Sequence, residues 1–429
     1  MADIKPFRAL RYHRPKVGGI YSLVAPPYDV ITPEEREELY ARSEFNIVRV
    51  DYSKDEGEGK YAAAAALLES WERDGVMVVE SKPAVYVVED YFIDWEGYRR
   101  IRRGFIAVVK LEEFGGGVVF PHEKTFPKHK KDRMALLKAT GTQFNPVFSF
   151  YSDTKNKVGS LLKEVVDRRL PDWNFRHDDG ATRTLWTVTD QKSVENIVEA
   201  MKGREIYIAD GHHRYETALE YSKMKNAELG AEGADGPHNY VLMYLVSAQD
   251  EGLSILAAHR MLRNLPGFDE KKVLDKLSEG FDIKAINRED SDCLINGDRK
   301  SCAISVQMGR NFYCLEPKAK AVAANSEIQN THETLRNLNV TICQEMVIHA
   351  LVESNEDLLN HISYEIDPTK VCAAVESGEQ DIAVYLSPVG IDALEKVARA
   401  HQVMPQKSTY FFPKLITGLV NYKHSVDNK

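Results

Sequence analysis

The sequence predicts a mixed α+β fold. Strand-like and helix-like segments follow one another without the strict alternation of a doubly wound parallel sheet. Two alternating segments, residues 84–95 and 98–111, flank Glu96-Gly97 and predict a β-hairpin. The glycine run at residues 115–117 lacks the Lys-Ser/Thr of a Walker loop, and the chain has no glycine-rich dinucleotide fingerprint.

Hydrophobic periodicity and helix start and stop signals predict the other elements in order. Helices are predicted at residues 33–43, 59–74, 134–140, 157–169, 193–201, from 215 onward, 270–279, 331–353 and 391–401. Strands are predicted at residues 118–120, 147–151, 184–189, 205–209, 240–247, 281–286, 302–308, 311–316 and 382–387. Loops are predicted at residues 128–133, 170–180 and 230–237, which are rich in charged, Pro, Gly or Asp residues.

Length and composition limit the number of domains and the class of protein. A chain of 429 residues is too long for one ordinary core, and a Pro-Gly-Phe-Asp sequence at 266–269 marks a junction. The predicted domains are therefore residues 1–265 and 266–429. The net charge of −9 argues against nucleic-acid binding, which relies on a basic surface.

Targeting signals and cysteine usage predict a cytoplasmic protein. The sequence has no apolar run of the roughly twenty residues that cross a bilayer, and residues 1–5 lack the apolar core of a secretion signal. The cysteines have no paired metal spacing and are expected to be reduced thiols. They are Cys293, Cys302, Cys314, Cys343 and Cys372.

The densest group of side chains that can bind a ligand or transfer a proton follows the predicted strand 205–209. Asp210, Gly211, His212, His213 and Arg214 stand where this strand passes into a helix. A helix N-terminus suits a phosphate, and a carboxylate there suits a divalent cation such as Mg²⁺. Asp and Gly are also ordinary capping residues, which is the plain alternative. A zinc site is disfavoured, because adjacent histidines point to different sides of a helix.

The same string carries a resemblance to a known family. Asp-Gly-His-His-Arg resembles the motif of the free-serine kinases of the ParB/sulfiredoxin-like superfamily, and the whole chain is similar to the DUF1015 family. The blocks that match are Pro6–Leu10, residues 25–30, residues 122–125, residues 131–133, His259-Arg260 and residues 404–414.

The resemblance implies a fold and an activity. It implies a ParB/sulfiredoxin-like catalytic core with an inserted hairpin and a C-terminal α/β domain whose tail returns to the site. It also implies transfer of a phosphoryl group to the hydroxyl of free L-serine, with ATP, ADP or pyrophosphate as donor. Asp210, His212 and His213 are then catalytic, with Asp210 holding Mg²⁺, while Gly211 and Arg214 bind the donor.

A second polar block lies at residues 122–125. Glu123 is the predicted general base, since a glutamate just ahead of the substrate site serves this purpose in the kinase relatives. His122 and Thr125 are predicted to bind substrate. The alternative is that Glu123 pairs with a neighbouring lysine.

Two further blocks are predicted to bind the donor. In the basic run 128–133, Lys131 and Arg133 are expected to clamp phosphates, although such a run is often a solvated face and is the only support for DNA binding. Near the C-terminus, Lys407, Ser408 and Thr409, with Lys414 further on, have the content of a phosphate-binding loop. The alternative for this block is a packed C-terminal arm.

The remaining predicted substrate residues lie in two short blocks. Pro26-Pro27 stiffens the chain and presents Tyr28 and Asp29, which suits an amino group or equally a structural turn. His259 and Arg260 are assigned to carboxylate or phosphate recognition by the resemblance alone.

The leading prediction is a small-molecule kinase that binds an amino acid and a phosphoryl donor. One alternative is a nucleotide-binding regulator or DNA-associated module of the ParB type. Another is a phosphohydrolase that uses water at the same site. The sequence leaves the donor, the acceptor and the oligomeric state open.

Overall fold

The structure is a computed structural model that describes residues 2–57, 59–94, 97–123, 127–233, 235–295, 304–352 and 360–426. The chain divides into two compact units. The first unit contains residues 1–121, 125–254 and 413–429, and the second contains residues 122–124 and 255–412. This division differs from the predicted domains, because the segment after residue 412 belongs to the first unit.

A nine-stranded mixed sheet is the centre of the first unit. Its central strand, Tyr240–Ser247, is buried at every position, as expected for a strand covered on both faces. The strand runs parallel to Val147–Tyr151 and antiparallel to Arg99–Lys110. The order is Val119–Phe120, Ile206–Asp210, Val147–Tyr151, Tyr240–Ser247, Arg99–Lys110, Val85–Ile93, Thr182–Val188 and Trp173–Arg176, with Ile4–Lys5 beside Arg99–Lys110.

The predicted hairpin is present in this sheet. Val85–Ile93 and Arg99–Lys110 pair antiparallel, from Tyr86 opposite Ile106 to Ile93 opposite Arg99. Glu96 of the predicted turn and residue 95, the last of the first predicted strand, lie outside the described residues. Burial alternates only in the half of the hairpin near the turn, whereas Val85–Val88 and residues 104–109 are buried at every position.

Helices cover this sheet. The helix Lys157–Arg168 shows the reason, since Val158, Leu162 and Val165 recur on one face and are all buried. Burying each such side chain stabilises the fold by about 1.5–3 kcal/mol. The helices of the unit are Arg14–Val17, Pro33–Arg42, Val48–Asp51, Gly59–Arg73, Pro127–Thr140, Lys157–Arg168, Gln191–Met201 and His212–Leu229. Short 3₁₀ turns lie at Tyr28–Val30, Gly230–Gly233 and Pro237–Asn239, and two small sheets pair Leu10–Tyr12 with Met77–Val79 and Thr142–Gln143 with Tyr422–Lys423.

The second unit is built on a six-stranded antiparallel sheet. The strand order is Phe281–Ile286, Asn311–Pro317, Ile304–Met308, Ile382–Leu386, His259–Leu262 and Ile362–Glu365. The helical segments are Glu270–Ser278, Arg288–Ile295, Ala319–Ala324, Ser326–Asn330, Glu333–Arg336, Asn339–Ile342, Cys343–Ile348, His349–Leu351, Pro368–Glu376 and Ile391–Arg399. The short strand Tyr410–Phe412 pairs with Ser254–Leu256. Both units mix helices and strands, so the predicted α+β class is confirmed.

Two predicted loops are wrong. Residues 128–133 belong to the helix Pro127–Thr140, because Lys and Arg are strong helix formers and proline is favoured at a first helical position. Residues 170–180 contain an edge strand, Trp173–Arg176, whose buried Trp173 and Phe175 alternate with exposed neighbours.

The prediction of one long helix at residues 331–353 is also wrong, because the helix is not continuous. The structure divides the described part into short segments, with a break at Asn337 and Leu338 and a π-helical segment at Cys343–Ile348. Asparagine and the β-branched Val340–Ile342 run are poor helix formers, which favours such interruptions.

Two further expectations concern membrane-spanning segments and the state of the cysteines. Within those ranges no helix combines the length and the apolar character needed to cross a bilayer. Cys314, Cys343 and Cys372 are buried thiols, and burial raises the pKa of Cys343 to about 11. Cys302 and the side chain of Cys293 lie outside what the structure describes.

Candidate functional site

The junction between the strand Ile206–Asp210 and the helix His212–Leu229 is formed by Gly211. This residue has φ +93°, a conformation that side chains other than that of glycine rarely allow. A Cβ atom at position 211 would lie 2.8 Å from the Arg214 guanidinium. Glycine therefore permits both the turn and the return of Arg214 over it.

The carboxylate of Asp210 is held by two cations. Arg214 Nη2 donates to Oδ2 at 2.6 Å, and Lys414 Nζ donates to Oδ1 at 2.6 Å. Burial alone would raise the pKa of Asp210, but Lys414 and Arg214 outweigh it and hold that pKa well below its usual range. Asp210 is thus ionised at neutral pH, and two cationic groups converge on it at the start of a helix.

The other contacts of Arg214 fix its orientation. Its Nη1 donates to the side-chain oxygen of Asn145 and to the carbonyl of Pro146. Asn145 Nδ2 in turn donates to Thr417 Oγ1 at 2.6 Å. The C-terminal segment thus orients Arg214 through Thr417 and Asn145, and it contacts the Asp210 carboxylate through Lys414.

Lys414 was named in the sequence only with the donor-binding block at residues 407–409, and its contact with Asp210 was not predicted. It lies 204 residues from its partner Asp210. Its carbonyl accepts from Arg183 Nη2 at 3.1 Å, and Arg183 is itself paired with Asp179 and lies 3.5 Å from Asp90. The only signal for Lys414 in the sequence is its place in the polar block at residues 404–414.

His212 and His213 are the first two residues of the helix. His212 is buried and His213 is half-buried, and the charge of His212 is one of the groups that lower the pKa of Asp210. Successive residues of a helix point to different sides, so the two imidazoles do not act as a pair.

The predicted magnesium at Asp210 has no matching ligand set. Both carboxylate oxygens of Asp210 are engaged by Lys414 and Arg214. Across the part of the chain that the structure describes, no group of three His, Cys, Asp or Glu side chains converges as metal ligands would. The residues therefore do not fit a metal held by the protein at this position.

Arg133 and Lys131 do not form one phosphate clamp. Arg133 is bound by Asp51, with Nη1 to Oδ1 at 2.9 Å, and by Asp132, with Nη2 to Oδ2 at 2.6 Å. Residues two apart lie on opposite sides of a helix. Accordingly, Lys131 lines a separate open cleft that also contains Lys60 and Asp132.

Of Tyr28 and Asp29, only Tyr28 faces the interior near this arginine. Its ring lies 3.9 Å from the Arg133 guanidinium, and burial raises its pKa to about 12. Asp29 is exposed, whereas Asp51, which sequence analysis did not select, is buried against Arg133.

The structure brings together another predicted group within the second unit. His122 Nε2 lies 3.0 Å from Thr409 Oγ1, and the Lys407 amide donates to Glu123 Oε1 at 3.3 Å. Ser408 is buried and donates to the Pro405 carbonyl. Thr125, predicted with this block, lies outside the described residues.

His259 and Arg260 are interior residues of the second unit's sheet. Both are buried, and the Leu386 amide donates to His259 Nδ1 at 3.4 Å. Burial and, next, the charge of Arg260 lower the pKa of His259 to about 4. Arg260 donates to the Ala258 carbonyl and lies over the Tyr364 ring.

Comparison with known proteins gives one family and several solved structures. The family described as "Protein of unknown function (DUF1015)" matches residues 4–341. A free serine kinase in complex with AMP is 13% identical, with 68% of this chain and 83% of that chain covered at a TM-score of 0.35. A conserved hypothetical protein from Pyrococcus furiosus is 15% identical, with 70% and 90% covered at a TM-score of 0.34. SbnI with C-terminal truncation from Staphylococcus aureus is 11% identical, with 75% and 90% covered at a TM-score of 0.37. No curated protein matches the chain.

Proposed function

The chain belongs to the DUF1015 family of proteins of unknown function, and from this premise we propose that it is a small-molecule kinase whose phosphoryl-transfer site is the Asp210 junction. The observation that carries the proposal is the convergence of Arg214 and Lys414 on Asp210, each at 2.6 Å, where a strand passes into a helix. A helix N-terminus with two adjacent cations is a site built for a phosphate.

On this proposal the donor phosphates replace the carboxylate as the partner of both cations. Arg214 presents a planar guanidinium that can hold two phosphoryl oxygens, while Lys414 acts as a compact charge. Asp210 keeps both side chains in place while the site is empty. The two cations are therefore positioned before the donor arrives.

The transfer itself needs no covalent intermediate with the protein. The acceptor hydroxyl oxygen forms a bond to the terminal phosphorus, the bond from that phosphorus to the donor's bridging oxygen breaks, and the hydroxyl proton passes to a base. Positioning and charge stabilisation supply most of the catalysis in such reactions. Arg214 and Lys414 would stabilise the charge that spreads over the transferred group.

The acceptor, donor and base are proposed from the resemblance of the Asp210–Arg214 string to the free-serine kinases. We take the acceptor to be L-serine and the donor to be ATP, ADP or pyrophosphate. Glu123 is proposed as the base on the same ground. The predicted Mg²⁺ is proposed to enter with the donor phosphates, and no step is assigned to a metal held by Asp210.

Phosphorus NMR tests this function. The purified protein is mixed with L-serine and Mg²⁺ and, in separate samples, with ATP, ADP or pyrophosphate. The proposal expects O-phosphoserine with at least one donor. Release of inorganic phosphate alone would support a phosphohydrolase instead. Absence of turnover with all three donors would remove the kinase function.

A further inference from the structure

A cavity of about 60 Å³, partly open to solvent, lies in the first unit, beside the Asp210 junction. The helices Pro127–Thr140 and His212–Leu229 form two of its walls. Each wall presents three residues at spacings of three and four, which place side chains on one helical face. The lining residues of these walls are Arg133, Leu136, Leu137, Arg214, Thr217 and Ala218.

Charged groups of both signs meet at this cavity. Asp51 is buried and lies against Arg133, which also donates from Nη2 to the Asp51 carbonyl at 2.9 Å. Asp132 also forms an ion pair with Arg133, and Lys60 pairs with Asp132 at 2.8 Å. The cavity therefore offers a carboxylate and guanidinium groups together, as a small zwitterion requires.

The hydroxyl of Thr217 is an independent sign of a ligand. Thr217 lines the cavity and is only 2% exposed, and its Oγ1 has no hydrogen-bond partner among the residues that the structure describes. A buried polar group without a partner costs about 1–3 kcal/mol. A molecule in the cavity would supply the missing hydrogen bond.

Arg214 connects this cavity with the proposed phosphoryl site. The same side chain lines the cavity and donates to Asp210. The volume admits about four to six water molecules, since one water needs roughly 10–15 Å³ of such space. That size suits a small amino acid.

We propose that this cavity binds the amino-acid acceptor, with its ammonium group against Asp51, its carboxylate accepting from Thr217 and its hydroxyl directed toward Arg214. This inference rests on the proposed function, because the acceptor must lie beside the donor phosphates. It replaces exposed Asp29 with buried Asp51 as the partner of the amino group, and Tyr28 remains part of the wall.

Calorimetric titration with L-serine tests the inference, with Thr217→Val as the main variant. Valine keeps the shape of threonine and removes the hydroxyl. The matched control is Thr341→Val, since Thr341 is also buried with an Oγ1 that has no partner within the described ranges, but it lies in the second unit and not in the cavity wall. The Kd should rise about 10- to 150-fold for Thr217→Val, the equivalent of one hydrogen bond to a charged group, and less than about twofold for the control.

A second variant, Ala218→Leu, fills the cavity without removing a polar group. It should abolish L-serine binding while ADP binding and the far-ultraviolet circular dichroism remain those of the wild type. If the cavity holds only water, the filled variant will bind L-serine as the wild type does, and the inference falls.

The outcomes separate this inference from the proposed kinase function. Weakened binding in Thr217→Val and lost binding in Ala218→Leu support the cavity, even in a protein that forms no O-phosphoserine. Equal L-serine binding by all variants overturns the cavity, even in a protein that forms O-phosphoserine. A wild-type protein that binds no L-serine overturns the cavity as well.

Discussion

Substitution of Lys414 by methionine is the change that most sharply tests the role of the C-terminal segment. Methionine preserves the length and apolar stem of lysine and removes the charge that lies 2.6 Å from Asp210. A hydrogen bond to a charged group contributes about 1.5–3 kcal/mol. If Lys414 transfers this contact to a donor phosphate, the donor Kd should rise about 10- to 150-fold.

Lys423→Met is the matched control for this change. Lys423 lies on the same segment and pairs with Glu72, with side chains 18% and 23% exposed, close to the 13% and 21% of Lys414 and Asp210. Both variants lose one half-buried ion pair, so both should lose a similar free energy of unfolding in urea. Only Lys414→Met should weaken donor binding.

Calorimetric titration with ATP, ADP and pyrophosphate at fixed salt measures the effect. Equal affinities in the wild type, Lys414→Met and Lys423→Met would refute the assignment of Lys414 to phosphate binding. Equal weakening in both variants would also refute it, since the effect would then come from general destabilisation.

Three further predictions concern the junction, the buried charges and the pH dependence. Gly211→Ala should weaken pyrophosphate binding in calorimetry at least tenfold, because φ +93° is strained for alanine and its Cβ would meet the Arg214 guanidinium; unchanged binding would contradict this. Asp90→Asn should lower the free energy of unfolding in urea by about 3–5 kcal/mol. The reason is that Arg102, bound to Asp90 at 2.6 Å, would be left buried without its carboxylate partner. A loss below about 1 kcal/mol would contradict this prediction. The pKa of His259 is lowered to about 4, so its neutral form contributes stability that is complete above about pH 6.5 and is lost as the pH falls toward 4, by at most about 1.4 kcal/mol per pH unit. His259→Asn should reduce the change of the urea midpoint between pH 7 and pH 5. An unchanged pH dependence of the midpoint would show that other groups cause the loss of stability.

Elements with strong periodicity and clear end signals could be predicted closely. The helix predicted at residues 33–43 is Pro33–Arg42, and Thr32 and Glu35 form the capping box that begins it. The strand predicted at residues 240–247 has those bounds in the structure. In both cases the local sequence and the tertiary contacts favour the same conformation.

Predictions failed where composition was taken for conformation. The basic run at 128–133 was predicted as a loop from its charge, yet it lies in a helix whose opposite sides carry Lys131 and Arg133. The same error placed both side chains in one phosphate clamp. Charge decides where a side chain is solvated and says little about backbone conformation.

The candidate site could be predicted only for its local part. Asp210, Gly211 and Arg214 are neighbours in sequence, and the structure keeps them together. Lys414 and Asn145 reach the same junction from distant parts of the chain. Such contacts depend on the path of the backbone, which no local pattern in one sequence encodes.

A crystal structure of the protein soaked with pyrophosphate tests the central claim most directly. The account predicts a phosphate at the N-terminus of the helix His212–Leu229, with oxygens within hydrogen-bond distance of Arg214 and Lys414 and with the bonds of both side chains to Asp210 broken. Pyrophosphate bound elsewhere, with both bonds to Asp210 intact, would contradict it.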